Sequence, residues 1–510
     1  MRTILLLPIL LFLACSKDTP PQSGSSRVFY EIFLRSFSDS DGDGIGDIRG
    51  LIEKLDYLEE LGVGGIWLMP VHPSKSYHKY DVMDYYGIDP EYGTMADFRE
   101  LLAEAHRRDM QVIIDLVLNH TDDEHPWFQA ALDGPESPFR SFYVWADPDT
   151  ITEERHLWHQ QPADGDKKNQ TNEYFYGFFW KGMPDLNYDY PPVRDSLIRI
   201  GKYWLENVGV DGFRLDGALF IYPYYHSRRD EYLPKTIAWW TDFHREMEAV
   251  HPNTFLVGEV WQSDSVLLSF LSSGLDAAFH FDLSRAILQT VKAGYDTLGL
   301  ARLDADYQTQ FGLYSFANPQ RTDALFLTNH DQDRLRSELD GNWDQAKMAA
   351  ALLLTLPGTP FIYYGEELGM LGKKPDERIR EPFPWGQGPG QTSWEPVEYN
   401  TPENTPPLSL QKKDEHSLWN HYRRLIHFRN EQPVMEEGRI QPFDAALPDG
   451  TLGFYRQDQD RRLLVLHQLG ASKAVIFTGT DRRLLFSTDP ETILTGDTLR
   501  LMPYSTAVLE

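Results

Sequence analysis

The sequence predicts a (β/α)8 TIM barrel with a subdomain inserted after its third strand and an all-β sandwich domain at its C-terminal end. Three observations lead there. Eight short apolar runs recur between residues 28 and 364 with amphipathic segments between them, the alternation of a parallel sheet wrapped by helices. Three runs deliver an acidic residue, Asp216, Glu259 and Asp331, to what would be the C-terminal rim of the barrel, where such folds assemble their active sites. Beyond residue 432 the helical spacing stops and short β-like runs follow.

In chain order, residues 1–15 read as a targeting segment. Arg2 supplies positive charge, residues 4–14 form an apolar stretch too short to span a bilayer, and Cys15, the chain's single cysteine, closes it. This resembles a bacterial lipoprotein signal, with Cys15 lipidated as the mature N-terminus. The polar linker at 16–27, rich in Pro, Ser and Gly, would be its tether. The resemblance implies export and lipid anchoring in a bacterial outer membrane, with S-K-D after Cys15 pointing to the cell surface. A periplasmic or secreted protein is the alternative.

The barrel is expected over 28–120 and 191–432. Its strands are V-F-Y-E-I-F at 28–33, G-I-W-L-M-P at 65–70, V-I-I-D-L-V at 112–117, D-G-F-R-L-D at 211–216, F-L-V-G-E-V at 255–260, D-A-A-F-H-F at 276–281, A-L-F-L-T at 324–328 and P-F-I-Y-Y at 360–364. Segments 48–61, 95–108, 192–207, 239–250 and 343–356 have the three-and-four spacing of covering helices. Residues 121–190, rich in aromatics, Pro and Asp, are too long for a connection and form the inserted subdomain. After a helix ending near Asn430, the runs at 452–456, 462–467, 473–477 and 506–510 make the β domain of 433–510.

Hydrophobic content of 41% and aromatic content of 13% suffice for a large core, with aromatics to spare for stacking on ligands. With 48 basic and 77 acidic residues the net charge is -29, which excludes nucleic acid and anionic headgroups as partners and leaves a neutral polymer unaffected. The membrane enters only through the N-terminal anchor, and the oligomeric state is left open.

Converging carboxyls at strand ends suit glycoside hydrolysis, in which one acts as nucleophile, one as general acid/base, and a third can stabilise an oxocarbenium-like transition state. Arg214, His120 and His330 stand near strand ends beside Asp216, Glu259 and Asp331. A separate cluster, D-S-D-G-D-G-I-G-D, sets Asp39, Asp41, Asp43 and Asp47 at positions 1, 3, 5 and 9 of a tight loop, with the Ile45 carbonyl at position 7. That is an oxygen cage for Ca2+, although Gly50 stands where an EF-hand needs its bidentate Glu.

With these residues assembled, the chain resembles glycoside hydrolase family 13, the α-amylase family, from residue 28 to 510. The blocks D-L-V-L-N-H (115–120), G-F-R-L-D (212–216), G-E-V (258–260) and T-N-H-D (328–331) carry the resemblance. It implies Asp216 as nucleophile, Glu259 as acid/base and Asp331 as transition-state stabiliser. Arg214 would keep Asp216 ionised, His78, His120 and His330 would bind sugar hydroxyls, and Tyr80 would stack beneath the reactive sugar. The family also has a calcium loop of the form seen at 39–47. M-P-D-L-N (183–187) resembles the block of a subfamily intermediate between oligo-1,6-glucosidases and neopullulanases. Leu219 and Phe220 replace the Lys-His pair of many α-amylases, which puts the family's central calcium site at Asn119 in doubt.

The implied activity is retaining endo-hydrolysis of α-1,4-glucosidic bonds in starch, amylose and maltooligosaccharides, with the small Gly217 and Ala218 after Asp216 favouring α-1,4 over α-1,6 linkages. The alternatives are an exo-acting α-glucosidase or cyclomaltodextrinase/neopullulanase, with Asp81 reading a chain end, and an inactive glucan-binding homologue.

Overall fold

Eight parallel strands close into a barrel in sequence order, each hydrogen-bonded to the next and the last to the first. They are β1 Phe29–Ile32, β2 Gly65–Leu68, β3 Gln111–Leu116, β4 Gly212–Leu215, β5 Phe255–Gly258, β6 Ala277–Phe279, β7 Thr322–Leu325 and β8 Thr359–Tyr363. This computed structural model describes residues 27–160, 173–222, 229–262, 264–297, 322–386, 388–443 and 445–510. Cys15, the signal segment and all but the last residue of the linker lie outside them. Among the described residues no helix is long and apolar enough to cross a membrane.

Side chains alternate along a strand, so one parity of each barrel strand points inward. The inward positions at the lower level are apolar, with Phe29, Trp67, Ile113, Phe255, Val257, Phe279 and Phe361 buried together. Phe29 stacks on Phe361 at 5.0 Å and on Phe255 at 5.4 Å, and Trp67 lies 5.2 Å from Phe279. These rings fill the barrel and form the floor of whatever sits at its upper rim.

Several expected elements differ in detail; the helix expected from 239 begins at Arg229, and the one expected over 192–207 passes into a π-helix at Tyr203–Val208. The segment at 48–61 is two helices, Ile48–Ile52 and Leu55–Leu61, because Lys54 leaves helical dihedrals at φ -106 and ψ 4. The seventh strand begins and ends before the apolar run A-L-F-L-T suggests. Phe326 and Leu327 are buried by packing beyond the last paired residue, so apolarity outlasts pairing there.

Between β3 and the helix Pro191–Lys202 the chain makes its long excursion, which includes a small antiparallel sheet of Trp145–Ala146, Tyr174–Tyr176 and Trp158–Gln160. After helix Leu418–Asn430 come two antiparallel sheets. One orders Arg439–Pro442, Thr451–Gln457, Arg462–Gln468, Ser505–Leu509 and Leu484–Ser487; the other orders Ala474–Phe477, Thr498–Leu501 and Ile493–Thr495. Leu464, Leu466, Ile476, Leu499 and Leu509 form the core between them.

Candidate active site

The same strand parity that builds the aromatic floor delivers charge at the next level up. Following Phe29 inward comes Glu31; following Ile113, Asp115; following Gly212, Arg214 and then Asp216; following Val257, Glu259. Asp216 and Glu259 each come immediately after the last residue of their strand, whereas Asp331 is reached through the buried segment 326–330.

Arg214 organises three of these carboxylates. Its Nη1 lies 2.7 Å from Asp216 Oδ1 and 3.0 Å from both oxygens of Asp115, and its Nη2 lies 2.9 Å from Glu259 Oε2. Asp216 and Glu259 are therefore separated by no more than a guanidinium and two hydrogen bonds. One cation facing three carboxylates, those of Asp115 and Asp216 buried and that of Glu259 partly so, leaves negative charge in excess. Burial pushes Asp115 up to about 7 against the pull of Arg214. It raises Glu259 too, with Asp216 and Asp331 adding to the effect and Arg214 opposing it. A carboxyl raised in this way beside a second carboxyl is the arrangement of an acid next to a nucleophile.

His330 joins the second half of the site. Its Nδ1 lies 2.5 Å from Glu31 Oε1, and its Nε2 lies 3.1 Å from Asp331 Oδ2 and 2.7 Å from the Tyr80 hydroxyl. Burial alone would lower this imidazole, but Asp331 and Glu31 carry it up to about 9. Asp331 also meets Arg380 Nη2 at 3.2 Å; burial would raise it, yet His330, Arg380 and Arg214 together hold it well below the usual carboxylate range. Tyr80 donates to Asp115 Oδ2 at 3.0 Å and stacks on His330 with centroids 5.5 Å apart. A continuous polar chain thus runs from Glu31 through His330, Tyr80, Asp115 and Arg214 to Asp216.

His120 is buried and bonds through Nε2 to the Tyr80 carbonyl at 3.2 Å, and burial lowers its pKa. His78 lies beside Tyr80, with ring centroids 6.0 Å apart, and accepts the Tyr80 N–H on Nδ1 at 3.2 Å.

The acidic loop lies apart from this cluster. Carboxylate oxygens of Asp39, Asp41 and Asp43 fall within 4.8 Å of one another. Asp47 is not among them, because its carboxylate accepts Ser40 N at 2.7 Å, Ser40 Oγ at 2.8 Å and Gly50 N at 2.8 Å, capping the helix Ile48–Ile52. Gly50 has room for nothing larger: a Cβ there would stand 2.0 Å from the Ser38 carbonyl oxygen. The Asn119 carbonyl accepts Leu186 N at 3.0 Å, and its side chain bonds Asp185, whose carboxyl burial raises well above its ordinary range.

Asp81, which in the exo-acting alternative would read a chain end, is only 1% exposed and its Oδ1 accepts the hydroxyls of Ser74 and Ser76. Gly217, which the sequence reading takes as leaving room for the leaving-group sugar, sits in the left-handed region at φ +49, which disfavours any β-branched side chain, and a Cβ there would meet the Phe179 ring at 3.1 Å. Glu31, Asp115 and Arg380 received no role from sequence. For the first two a signal existed, a lone acid inside an apolar strand on the inward parity. Arg380 comes from the irregular segment after β8, where no periodicity marks it.

Residues 31–438 match the family model described as Alpha amylase, catalytic domain. The chain is 41% identical over 448 residues to "Alpha-amylase 3" of Dictyoglomus thermophilum, covering 87% of this chain and 85% of that protein. It is 33% identical over 493 residues to a 4-alpha-glucanotransferase of Thermotoga neapolitana, covering 94% and 99%. The crystal structure of an alpha-amylase from H.orenii superposes with a TM-score of 0.84 at 44% identity, covering 95% of this chain and 99% of that one.

Proposed function

Since the chain belongs to the alpha-amylase family, glycoside hydrolase family 13, and is a glycoside hydrolase acting on α-glucans, we propose that it cuts internal α-1,4 bonds of starch, amylose and maltooligosaccharides with retention of configuration. The observation that carries the reading is the single Arg214 guanidinium joining Asp216 and Glu259. Retaining glycosidases need their two carboxyls about 5 to 5.5 Å apart, too close for a water between them. In this reading Asp216 attacks the anomeric carbon while Glu259, its pKa raised by burial and its acidic neighbours, gives its proton to the departing oxygen. Glu259 then takes a proton from the water that releases the glycosyl-enzyme. Asp331, anionic beside His330 and Arg380, stabilises the positive charge that develops on the sugar.

Endo action is supported by Asp81, whose Oδ1 is engaged by Ser74 and Ser76. A glucan-binding homologue without activity has no use for an acid/base carboxyl held in this environment. A second reading, glycosyl transfer to a sugar acceptor, is favoured by the aromatics near Glu259. Phe179 and Trp261 are 44% and 49% exposed, and Trp261 stacks one face on Phe281 at 4.5 Å, leaving the other for a sugar. A product time-course on amylose, pullulan and maltotriose tests this. Early internal cleavage of amylose with slow attack on maltotriose is expected. Release of glucose alone from the outset would establish exo action, and conversion of maltotriose to longer oligosaccharides would establish transfer.

The reading includes a structural Ca2+ held by Asp39, Asp41 and Asp43 with the Ile45 carbonyl, while Asp47, expected from sequence as a further ligand, caps the helix Ile48–Ile52 instead. Its support is the convergence of three carboxylates within 4.8 Å, a repulsive arrangement that a divalent cation neutralises.

A further inference from the structure

His78 and Tyr80 both face the carboxylate cluster, yet the residue between them is a lysine in a conformation that lysine avoids. Lys79 has φ +64, in the left-handed region where glycine is at ease and other residues are strained. It is also only 3% exposed, an unusual state for an ammonium group. The side chain runs away from the site and ends between two carboxylates, Asp89 Oδ2 at 2.9 Å and Glu91 Oε2 at 2.7 Å, with the Tyr92 ring centroid 5.6 Å from Nζ. Both acids are themselves anchored. Asp89 accepts Ser74 N and Glu91 N, and Glu91 pairs with Arg35 at 2.8 Å.

We propose that Lys79 is a positioning residue: its ammonium, clamped between Asp89 and Glu91, holds the left-handed turn that presents His78 and Tyr80 to the sugar at the point of cleavage. The turn reverses the direction of the backbone at one residue, so the flanking side chains reach the site while Lys79 points into the protein. Short bonds knit the same turn, from Lys79 N to Ser76 Oγ at 3.2 Å and from Tyr80 N to His78 Nδ1 at 3.2 Å. A glycine would adopt this φ unaided, but nothing would then fix it. The lysine supplies the restraint, because breaking the turn would separate a buried cation from its two anions. Tyr80 in turn is the link between His330 and Asp115, so a displaced turn disturbs both halves of the site.

The inference rests on the reading of this site as one that cleaves α-glucans. Lys79→Met keeps the length of the stem and removes its charge. On folded protein, checked by circular dichroism and assayed well below its melting temperature, kcat should fall by about 100-fold, the loss that an ångström-scale misplacement brings. KM for maltoheptaose, set by contacts along the whole chain, should change little. Affinity for 1-deoxynojirimycin, a cationic glucose analogue that fills the sugar position at the cleavage point, should fall together with kcat. Lys79→Gly, which accepts φ +64 without strain, should recover part of both. If Lys79 only adds stability, Lys79→Met will melt earlier with unchanged kcat per folded molecule and unchanged inhibitor affinity, and the proposal is overturned. Should Lys79→Met fail to fold, Glu91→Gln removes one of the two clamping charges, and the same split at smaller amplitude is expected. Wild-type kcat and inhibitor affinity in Glu91→Gln would also overturn it. Inactivity of the wild type on α-glucans would sink the functional reading, while inhibitor binding by wild type and variant would still decide the role of Lys79.

Discussion

Arg214 shows how much chemistry one buried cation can set. It neutralises only part of the charge of Asp115, Asp216 and Glu259, so burial and neighbouring negative charge raise Asp115 and Glu259 against its pull. The same physics operates outside the site, in the turn after β8. Glu366 and Glu367 are both buried, one bonded by the Tyr422 hydroxyl at 2.8 Å and the other by the Tyr30 hydroxyl at 2.9 Å. Burial pushes Glu366 up to about 8 and Glu367 up to about 7. A carboxyl raised in the folded state keeps its proton where the unfolded chain, with a pKa of about 4.3, has lost it. Its contribution to stability is therefore present at low pH and disappears as pH rises towards 8. Glu366→Gln, always neutral, should show a smaller drop in melting temperature between pH 5 and pH 8 than the wild type. Parallel curves for the two proteins would mean that Glu366 is not held protonated.

At the level of elements, the barrel strands were legible because each buries both faces and so reads as an apolar run, and strand-end acids stood out against that background. What the runs did not reveal was parity. Glu31 and Asp115 lie in quoted strands, but their meaning appears only once Phe29 and Ile113 are known to face inward below them. Arg380 and Lys79 could not be read at all, since irregular segments carry no period and a left-handed lysine looks like any other in sequence. The acidic loop illustrates a different limit. An aspartate that caps a helix and one that ligates a cation are the same residue type, and Asp47 is found capping Ile48–Ile52. The loop nonetheless ties two parts of the barrel together, with Asp39 N bonded to the Gly390 carbonyl at 3.2 Å and Ser393 N to the Gly44 carbonyl at 2.8 Å. A Ca2+ bound there would stabilise the folded state by mass action, so excess EDTA should lower the melting temperature. Asp43→Ala should melt lower and lose that response. Wild-type melting that ignores the chelator would rule the ion out.

For the whole molecule, the barrel, the excursion after β3 and the C-terminal sheets divide the work unequally. The barrel supplies the aromatic floor and the charged rim, and the excursion adds Phe179 beside Gly217, whose N–H bonds Glu259. The account's central claim is that Asp216 and Glu259 are close enough for Asp216 itself, and not a water, to attack the sugar. The stereochemistry of the product decides this, because attack by the protein followed by attack by water inverts the anomeric carbon twice. Proton NMR of maltoheptaose hydrolysis, recorded before mutarotation, should show the α-anomer as the first product. Initial release of the β-anomer would place a water between the carboxyls and contradict the account.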